Sequence, residues 1–497
     1  MPIKKQPIQM QREWSVIFIV YAFLKKNDVL HDHLKHFIEE VQKTSIKDNN
    51  SYYLLINEID DTKPRGETHD QTILYNYTTN GSKTQRTELE TFNTERLLQK
   101  PKEIEKALKR ISEHEKFNAK KIAVCTWDHG AAFGMFGVGD TALLERGIKS
   151  VMKNPKDFLQ SFFTENNTFT ENNTIALPRN QVFNRWWDDS IHQDREDKPA
   201  IENSLIQYMS QKGISYHNGV KPKLVFDMLY NEDLATALKN GLGRKVDIVL
   251  MANCYMQNLH TASALKDDAE ILIAPQGDLE YPCYNYSSII EKLEEDPCIT
   301  KEALAKFIVE QSGTLFKAEH LDKLSLFATR LSNLKLISDN LGVIASYFKA
   351  QMVQHEKLKG AIEVILQYCF PFETDRPYSM RDLANFLYQI SIYDPKKEGY
   401  EFLKEAYITE LIEALDILAD NYIIAEHTGE KFTQYAKVGS ANYKNNILPR
   451  ALALYLPEQE EITETLPKYK GIAFKTTLIK EAPEWGAFLK YLYNISP

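Results

Sequence analysis

Two runs of β-forming residues constrain this chain more than any other feature. Ala123-Val-Cys-Thr-Trp127 stops at Asp128-His129-Gly130, and Asp247-Ile-Val-Leu-Met251 stops at Ala252-Asn253-Cys254. Each run stands among helical patterns, which calls for strands of an open α/β sheet. In such a sheet ligands bind in the crevice beyond the carboxyl ends of the strands. Both runs carry to that edge a residue capable of acyl-transfer chemistry.

The rest of the chain supplies the elements such a sheet needs. Strand signals at Val16–Ala22, Tyr52–Ile59, Thr72–Tyr77 and Lys121–Trp127 alternate with helical runs at Asp28–Thr44 and Pro101–Glu113, and Asn80-Gly81 predicts a hairpin. After a polar stretch, a helix at Asn231–Lys239, a strand at Val246–Met251, a helix through Leu265 and a strand at Glu270–Ala274 repeat the βαβ pattern. The expected fold is α/β, a three-layer α/β/α sandwich on a mostly parallel central sheet, with a helix-rich C-terminal subdomain. Residues 10–315 are expected to form the catalytic domain and residues 316–497 an accessory α+β subdomain. The subdomain is expected to hold helices at Leu321–Leu336, Val343–Leu366 and Phe402–Asp420 and strands at Ala451–Tyr455 and Ile472–Thr477.

Between the two runs, residues 140–223 read as an insertion. The near-duplicate Thr-Glu-Asn-Asn-Thr at 164–168 and 170–174 competes with regular backbone structure and favours loop. Its Trp186-Trp187-Asp188-Asp189 reads either as a lid over the site or as an anchor pinning the loop to the body, and the anchor is favoured because indole rings are usually buried.

Composition narrows the function classes. Lys and Arg total 60 against 69 Asp and Glu, a net charge of −9, so nothing recommends nucleic acid as a partner. No segment is long and apolar enough to span a membrane. The first residues lack the long apolar stretch and small-residue cleavage site of a signal peptide, so no export signal is expected in them. A secreted or envelope location would require that a signal had been removed, so the compartment is left open, as is the oligomeric state. The five cysteines, Cys125, Cys254, Cys283, Cys298 and Cys369, show no C-x-x-C pair, against both structural zinc and a disulfide scaffold. His31, His33 and His36 share one predicted helix with no carboxylate partner placed beside them, so they read as a solvated face and no metal site is assigned.

Thiol-dependent amide hydrolysis needs a nucleophile, a proton donor for the leaving amine and hydrogen-bond donors for the oxyanion. Cys254 can attack, His129 can carry the proton, and the N–H of Gly130 can approach a carbonyl oxygen closely because no side chain intervenes. A second oxyanion donor would be the N–H of Cys254 itself.

Trp127-Asp128-His129-Gly130 and Leu250-Met-Ala-Asn-Cys254-Tyr-Met256 resemble the two signatures of clostripain-like cysteine peptidases, whose usual forms read Trp-Asn-His-Gly and Asp-Ala-Cys-Leu-Met. The resemblance extends from the strand at Trp14 to Ala451-Leu-Ala-Leu-Tyr455-Leu-Pro457. It implies the fold of caspases and gingipains, a peptide or protein substrate, His129 as the catalytic histidine and Cys254 as the nucleophile. Self-cleavage within the insertion is implied too, where Arg146, Lys149, Lys153 and Lys156 offer basic sites. Some members use calcium; no Asp-x-Asp-x-Asp-Gly loop occurs here, so no cofactor is assigned and calcium stays open as what the resemblance alone implies.

One departure bears on specificity. Two positions before the cysteine the family usually carries an acid that binds the substrate's Arg or Lys; this chain has Ala252. A methyl group cannot pair with a guanidinium, so the preference should weaken unless Asp278 or Glu280 in the next strand-end loop takes the role. The rival class is a binding or scaffold protein that kept the fold without catalysis. Retention of both His129 and Cys254 argues against it.

Overall fold

In the computed structural model the described residues are 11–24, 29–47, 49–60, 70–80, 83–93, 97–115, 119–138, 227–277, 279, 284–319, 325–369, 380–393, 403, 405–429, 450–458 and 472–495. They belong to one compact unit, apart from Val138 and Asp227, which end a second unit made of residues 138–227 and 467–470. The expected insertion, with Trp186, Trp187 and the basic residues Arg146 to Lys156, thus lies outside the described residues.

The core is a nine-stranded sheet. Its strands are β1 (Arg12–Leu24), β2 (Asn50–Asp60), β3 (Asp70–Asn80), β4 (Lys83–Phe92), β5 (Ala119–Trp127), β8 (Val246–Ala252), β9 (Ala269–Pro275), β10 (Ser325–Arg330) and β12 (Ile423–Thr428). Two small two-stranded sheets pair β6 (Gly134–Val138) with β7 (Asp227–Tyr230), and β11 (Met380–Asp382) with β13 (Ala453–Tyr455). The spatial order is β12-β10-β9-β8-β5-β1-β2-β3-β4. The five central strands from β2 to β9 run parallel, and antiparallel strands extend the sheet at both edges. The β3–β4 hairpin is present, its tip at Gly81 lying outside the described residues.

Helices cover both faces because the parallel strands are apolar on both. Trp14, Val16, Phe18 and Val20 of β1 share one buried cluster with Ile248, Leu250 and Ala252 of β8, and with Phe37, Tyr286, Ile290 and Ile308 from the helices Val29–Lys43, Tyr286–Glu295 and Lys301–Ala318. Alternate residues face the other way. There Tyr53 of β2 meets His114 of the helix Pro101–Glu115, ring centroids 5.7 Å apart, and Gly241 lets the helix Asn231–Leu242 close on Leu108.

Three expected elements differ. The helix foreseen at Leu321–Leu336 is instead strand β10, after which a helix runs from Leu334 to Gln354. Ser-Leu-Phe-Ala-Thr carries enough β-branched and aromatic character to be recruited between β9 and β12, and pairing on both sides overrides its helical spacing. The long helix foreseen at Val343–Leu366 is broken at His355, whose non-helical backbone separates Leu334–Gln354 from Lys357–Tyr368. The strand foreseen at Ile472–Thr477 is a 3₁₀ turn leading to the helix Thr477–Glu481, since a short apolar run does not by itself separate strand from helix. Because β10 and β12 belong to the central sheet, that sheet runs across the boundary expected at 315/316.

Candidate active site

Strands β5 and β8 are parallel neighbours, and their register aligns Trp127 with Ala252. His129 and Cys254 therefore each lie two residues beyond the last matched pair, at the same edge of the sheet. The final main-chain rung is Asp128 N–H to the Ala252 carbonyl, 3.2 Å. Beyond it a side chain takes over from the ladder. The Asn253 amide donates from Nδ2 to the carbonyls of Asp128 (2.9 Å) and His129 (3.3 Å), while its Oδ1 accepts from the Thr126 hydroxyl at 2.5 Å.

Gly130 sits directly against the nucleophile's backbone. A β-carbon there would collide with the Cys254 carbonyl oxygen and come within 2.8 Å of the Cys254 nitrogen, so no other residue fits. After Gly130 the chain turns back on itself: Ala131 N–H donates to the Gly134 carbonyl (2.9 Å), and Phe136 N–H donates to the His129 carbonyl (3.2 Å). His129 itself is exposed.

On the cysteine side, Tyr255 adopts a left-handed φ of 61°, which turns the chain sharply after Cys254. Its N–H donates to the Gly277 carbonyl (2.9 Å), and the Gln257 N–H donates to the Pro275 carbonyl (2.8 Å). The helix Leu259–Leu265 then begins at Asn258, whose Oδ1 accepts from the Thr261 N–H at 2.9 Å. Its Nδ2 donates to the carbonyls of Ala132 (3.0 Å) and Tyr255 (2.7 Å), and Asn231 adds a second donor to the Ala132 carbonyl at 3.0 Å. This buried polar network ties the histidine loop to the cysteine loop.

The thiol of Cys254 is half-buried, packed against the cluster that holds Trp127, Ala252, Leu279 and Tyr284. The N–H of Leu279 donates to its Sγ at 3.3 Å. Cys125 and Cys369 are fully buried; burial pushes the Cys369 thiol up to about 12 and the Cys125 thiol higher still, so both are inert near neutrality. Cys298 is exposed, and no described cysteine is in a disulfide.

Among the other residues singled out by sequence, Ala252 is buried, 1% exposed, and packs in the apolar cluster beside Cys254. Asp278, Glu280 and Cys283 lie outside the described residues. His36 pairs with Glu40 at 3.4 Å on its own helix; the side chains of His31 and His33 are not described. Among the described residues no group of three or more His, Cys, Asp or Glu could hold a metal ion, and no helix is long and apolar enough to cross a membrane.

Sequence reasoning passed over Thr126, Asn231, Asn253, Asn258 and Thr261. The signal that singles out Asn253 is its departure from Ala in the usual Asp-Ala-Cys signature. The others are polar residues whose burial becomes evident only in three dimensions.

A sequence profile of the clostripain family matches residues 203–491. Comparison with the curated proteins gave no match. Among solved structures, the inactive zymogen C11 protease of Parabacteroides distasonis superposes with a TM-score of 0.54 at 14% identity, covering 96% of this chain and 99% of that one. The secreted C11 cysteine protease "iotapain" of Bacteroides thetaiotaomicron gives a TM-score of 0.55 at 12% identity, with 95% and 99% covered. A secreted C11 cysteine protease of the same organism in complex with an irreversible peptide inhibitor gives 0.50 at 11%, with 93% and 99% covered. At these identities the structures establish a shared fold, and the profile match establishes the family.

Proposed function

The chain belongs to the clostripain family of cysteine peptidases, and from that premise we propose that Cys254 is its nucleophile and His129 its acid–base partner. The observation that carries the reading is the register of β5 on β8, which brings these two residues to equivalent positions at one sheet edge. The Cys254 sulfur attacks the scissile carbonyl carbon after yielding its proton to His129, and negative charge develops on the carbonyl oxygen. The Gly130 N–H, beside the Cys254 backbone, is the donor suited to that oxygen. The C–N bond breaks as His129 returns the proton to the leaving amine. Water then attacks the thioester, gives a proton to His129, and releases the acid and the free thiol.

On this reading Ala252 offers no counter-ion and its surroundings are apolar, so the residue accepted before the scissile bond is uncharged unless Asp278 or Glu280 supplies the charge. The peptide-inhibitor complex of the Bacteroides thetaiotaomicron protease, together with family membership, supports a peptide or protein substrate. No observation favours a scaffold role.

Incubation with iodoacetamide at neutral pH, followed by peptide mapping, tests the assignment. Selective labelling at Cys254, with loss of peptidase activity in both the labelled protein and Cys254→Ala, is expected. Equal labelling of Cys254 and the exposed Cys298, or an active Cys254→Ala variant, would remove Cys254 from the mechanism.

A further inference from the structure

Asn253 is wholly buried next to the proposed nucleophile, where the family signature usually carries Ala. Alternation along β8 places Ala252 and Cys254 toward one face of the sheet, within the apolar cluster, and Met251 and Asn253 toward the other. Thr126, on β5 between the cluster residues Cys125 and Trp127, faces the same side as Asn253 and is also fully buried. Its hydroxyl donates to Asn253 Oδ1 at 2.5 Å. The amide nitrogen must then face the two main-chain carbonyls, which can only accept, and it reaches those of Asp128 and His129 at 2.9 and 3.3 Å.

These bonds set a direction. A trans peptide is planar, with its C=O and N–H pointing opposite ways. The His129 carbonyl is drawn toward the Asn253 face by Nδ2 and is held a second time by the Phe136 N–H at 3.2 Å. The other end of the same peptide is the Gly130 N–H, which is thereby turned toward the opposite face, where the Cys254 side chain lies. We propose that Asn253, with Thr126 fixing its amide, is a positioning residue that holds the 129–130 peptide so that the Gly130 N–H faces the substrate's carbonyl oxygen. The proposal rests on the assignment of Cys254 and His129 above and deepens it: the oxyanion donor is set by a side chain on the far side of the sheet.

The test separates steps that form an oxyanion from one that does not. Peptide cleavage and peptide-aldehyde binding both place negative charge on a carbonyl oxygen, whereas alkylation of Cys254 by iodoacetamide displaces iodide and does not. For Asn253→Ala, kcat on a fluorogenic peptide and affinity for a peptide aldehyde should fall together by on the order of tenfold to a hundredfold, below the roughly 10²–10³ lost when an oxyanion donor is removed outright. KM and the alkylation rate should stay within about twofold, the scatter of a site otherwise intact. Thr126→Val should repeat the pattern more weakly, and Thr126→Ser, which keeps the hydroxyl, should restore it; these carry the test if Asn253→Ala fails to fold. Unchanged kcat in both Asn253→Ala and Thr126→Val, or an alkylation rate that falls in step with kcat, would overturn the proposal. A wild-type chain that neither cleaves peptides nor alkylates selectively at Cys254 would instead bring down the functional assignment, and the proposal with it.

Discussion

His260 should make the protein acid-sensitive by an amount that its environment fixes. The ring is completely buried on the helix Leu259–Leu265, edge-on to Phe133 with centroids 5.1 Å apart. The Tyr455 N–H donates to Nε2 at 3.1 Å, so that nitrogen carries no proton, and Nδ1 lies 2.9 Å from the Thr476 hydroxyl, to which it donates. The Tyr455 contact needs an unprotonated Nε2 and so selects the neutral ring, while the Thr476 contact fixes its tautomer; burial lowers the pKa to about 3. The unfolded chain takes up a proton near 6.5, whereas the folded one refuses it until far lower pH. Stability from this residue is therefore complete above about pH 6.5 and is lost as pH falls through the window down to about 3. Between pH 7 and pH 5 the loss is roughly 2 kcal/mol, from 1.36 kcal/mol per pH unit across the titrating range. The assay is urea unfolding of the wild-type chain and His260→Gln at both pH values. The variant is expected to be less stable at pH 7, having lost packing and one good hydrogen bond, but to lose about 2 kcal/mol less than wild type on moving to pH 5. Other groups titrate in this window, so the comparison between the two proteins carries the result. Identical pH dependence in both would show that the folded state accommodates a charged His260 and would refute the argument.

Gly130→Ala should abolish peptidase turnover, because the added methyl collides with the Cys254 carbonyl; an active, folded variant would mean that the loop does not sit against the nucleophile. Ala252→Asp should raise the preference for Arg or Lys before the scissile bond by on the order of tenfold, read as kcat/KM ratios on matched peptides. The same change should lower the unfolding midpoint, since the site is only 1% exposed and a carboxylate there must be desolvated. A wild-type enzyme that cleaves only after Arg or Lys, and continues to do so with Asp278 and Glu280 both replaced, would refute this reading of the pocket. If basic sites between Arg146 and Lys156 are cut during maturation, purified active protein should convert on incubation to two fragments that co-elute in gel filtration, whereas an active chain that stays intact would show that cleavage is unnecessary.

The parallel strands were legible because their chemistry is redundant: β5 and β8 are apolar on both faces, and each apolar run ends at polar residues, Asp128-His129 and Asn253. Their adjacency was not, since nothing in the alternation says that β5 and β8 pair in the order found. β10 was misread because its identity depends on non-local pairing with β9 and β12 and not on its own spacing. At the site, His129 and Cys254 stand out as chemically rare residues at strand ends. Asn253, Asn258 and Thr126 do not, because Asn and Thr are common in loops and only burial reveals that their hydrogen bonds are structural.

The segment beyond residue 316 has a closer connection with the site than its position in the sequence suggests. The loop after β9 delivers the Gly277 carbonyl to the Tyr255 N–H and the Leu279 N–H to the Cys254 sulfur. Its Gln276 is anchored twice by later sequence: its N–H donates to the Ser325 carbonyl at 3.1 Å, and its Nε2 donates to Asp382 Oδ2 at 2.9 Å. Asp382 is itself buried, and its carboxylate also accepts from the N–H groups of Ala384, Asn385, Arg450 and Leu452. A carboxylate held by that many donors is a rigid post, because moving it would strand several buried N–H groups at once. The loop that touches the nucleophile is thus fastened to strand β10 and to the start of the helix Leu383–Ile392. A chain shortened to its first 315 residues would lose both anchors, and with them the placement of the Leu279 N–H against Cys254.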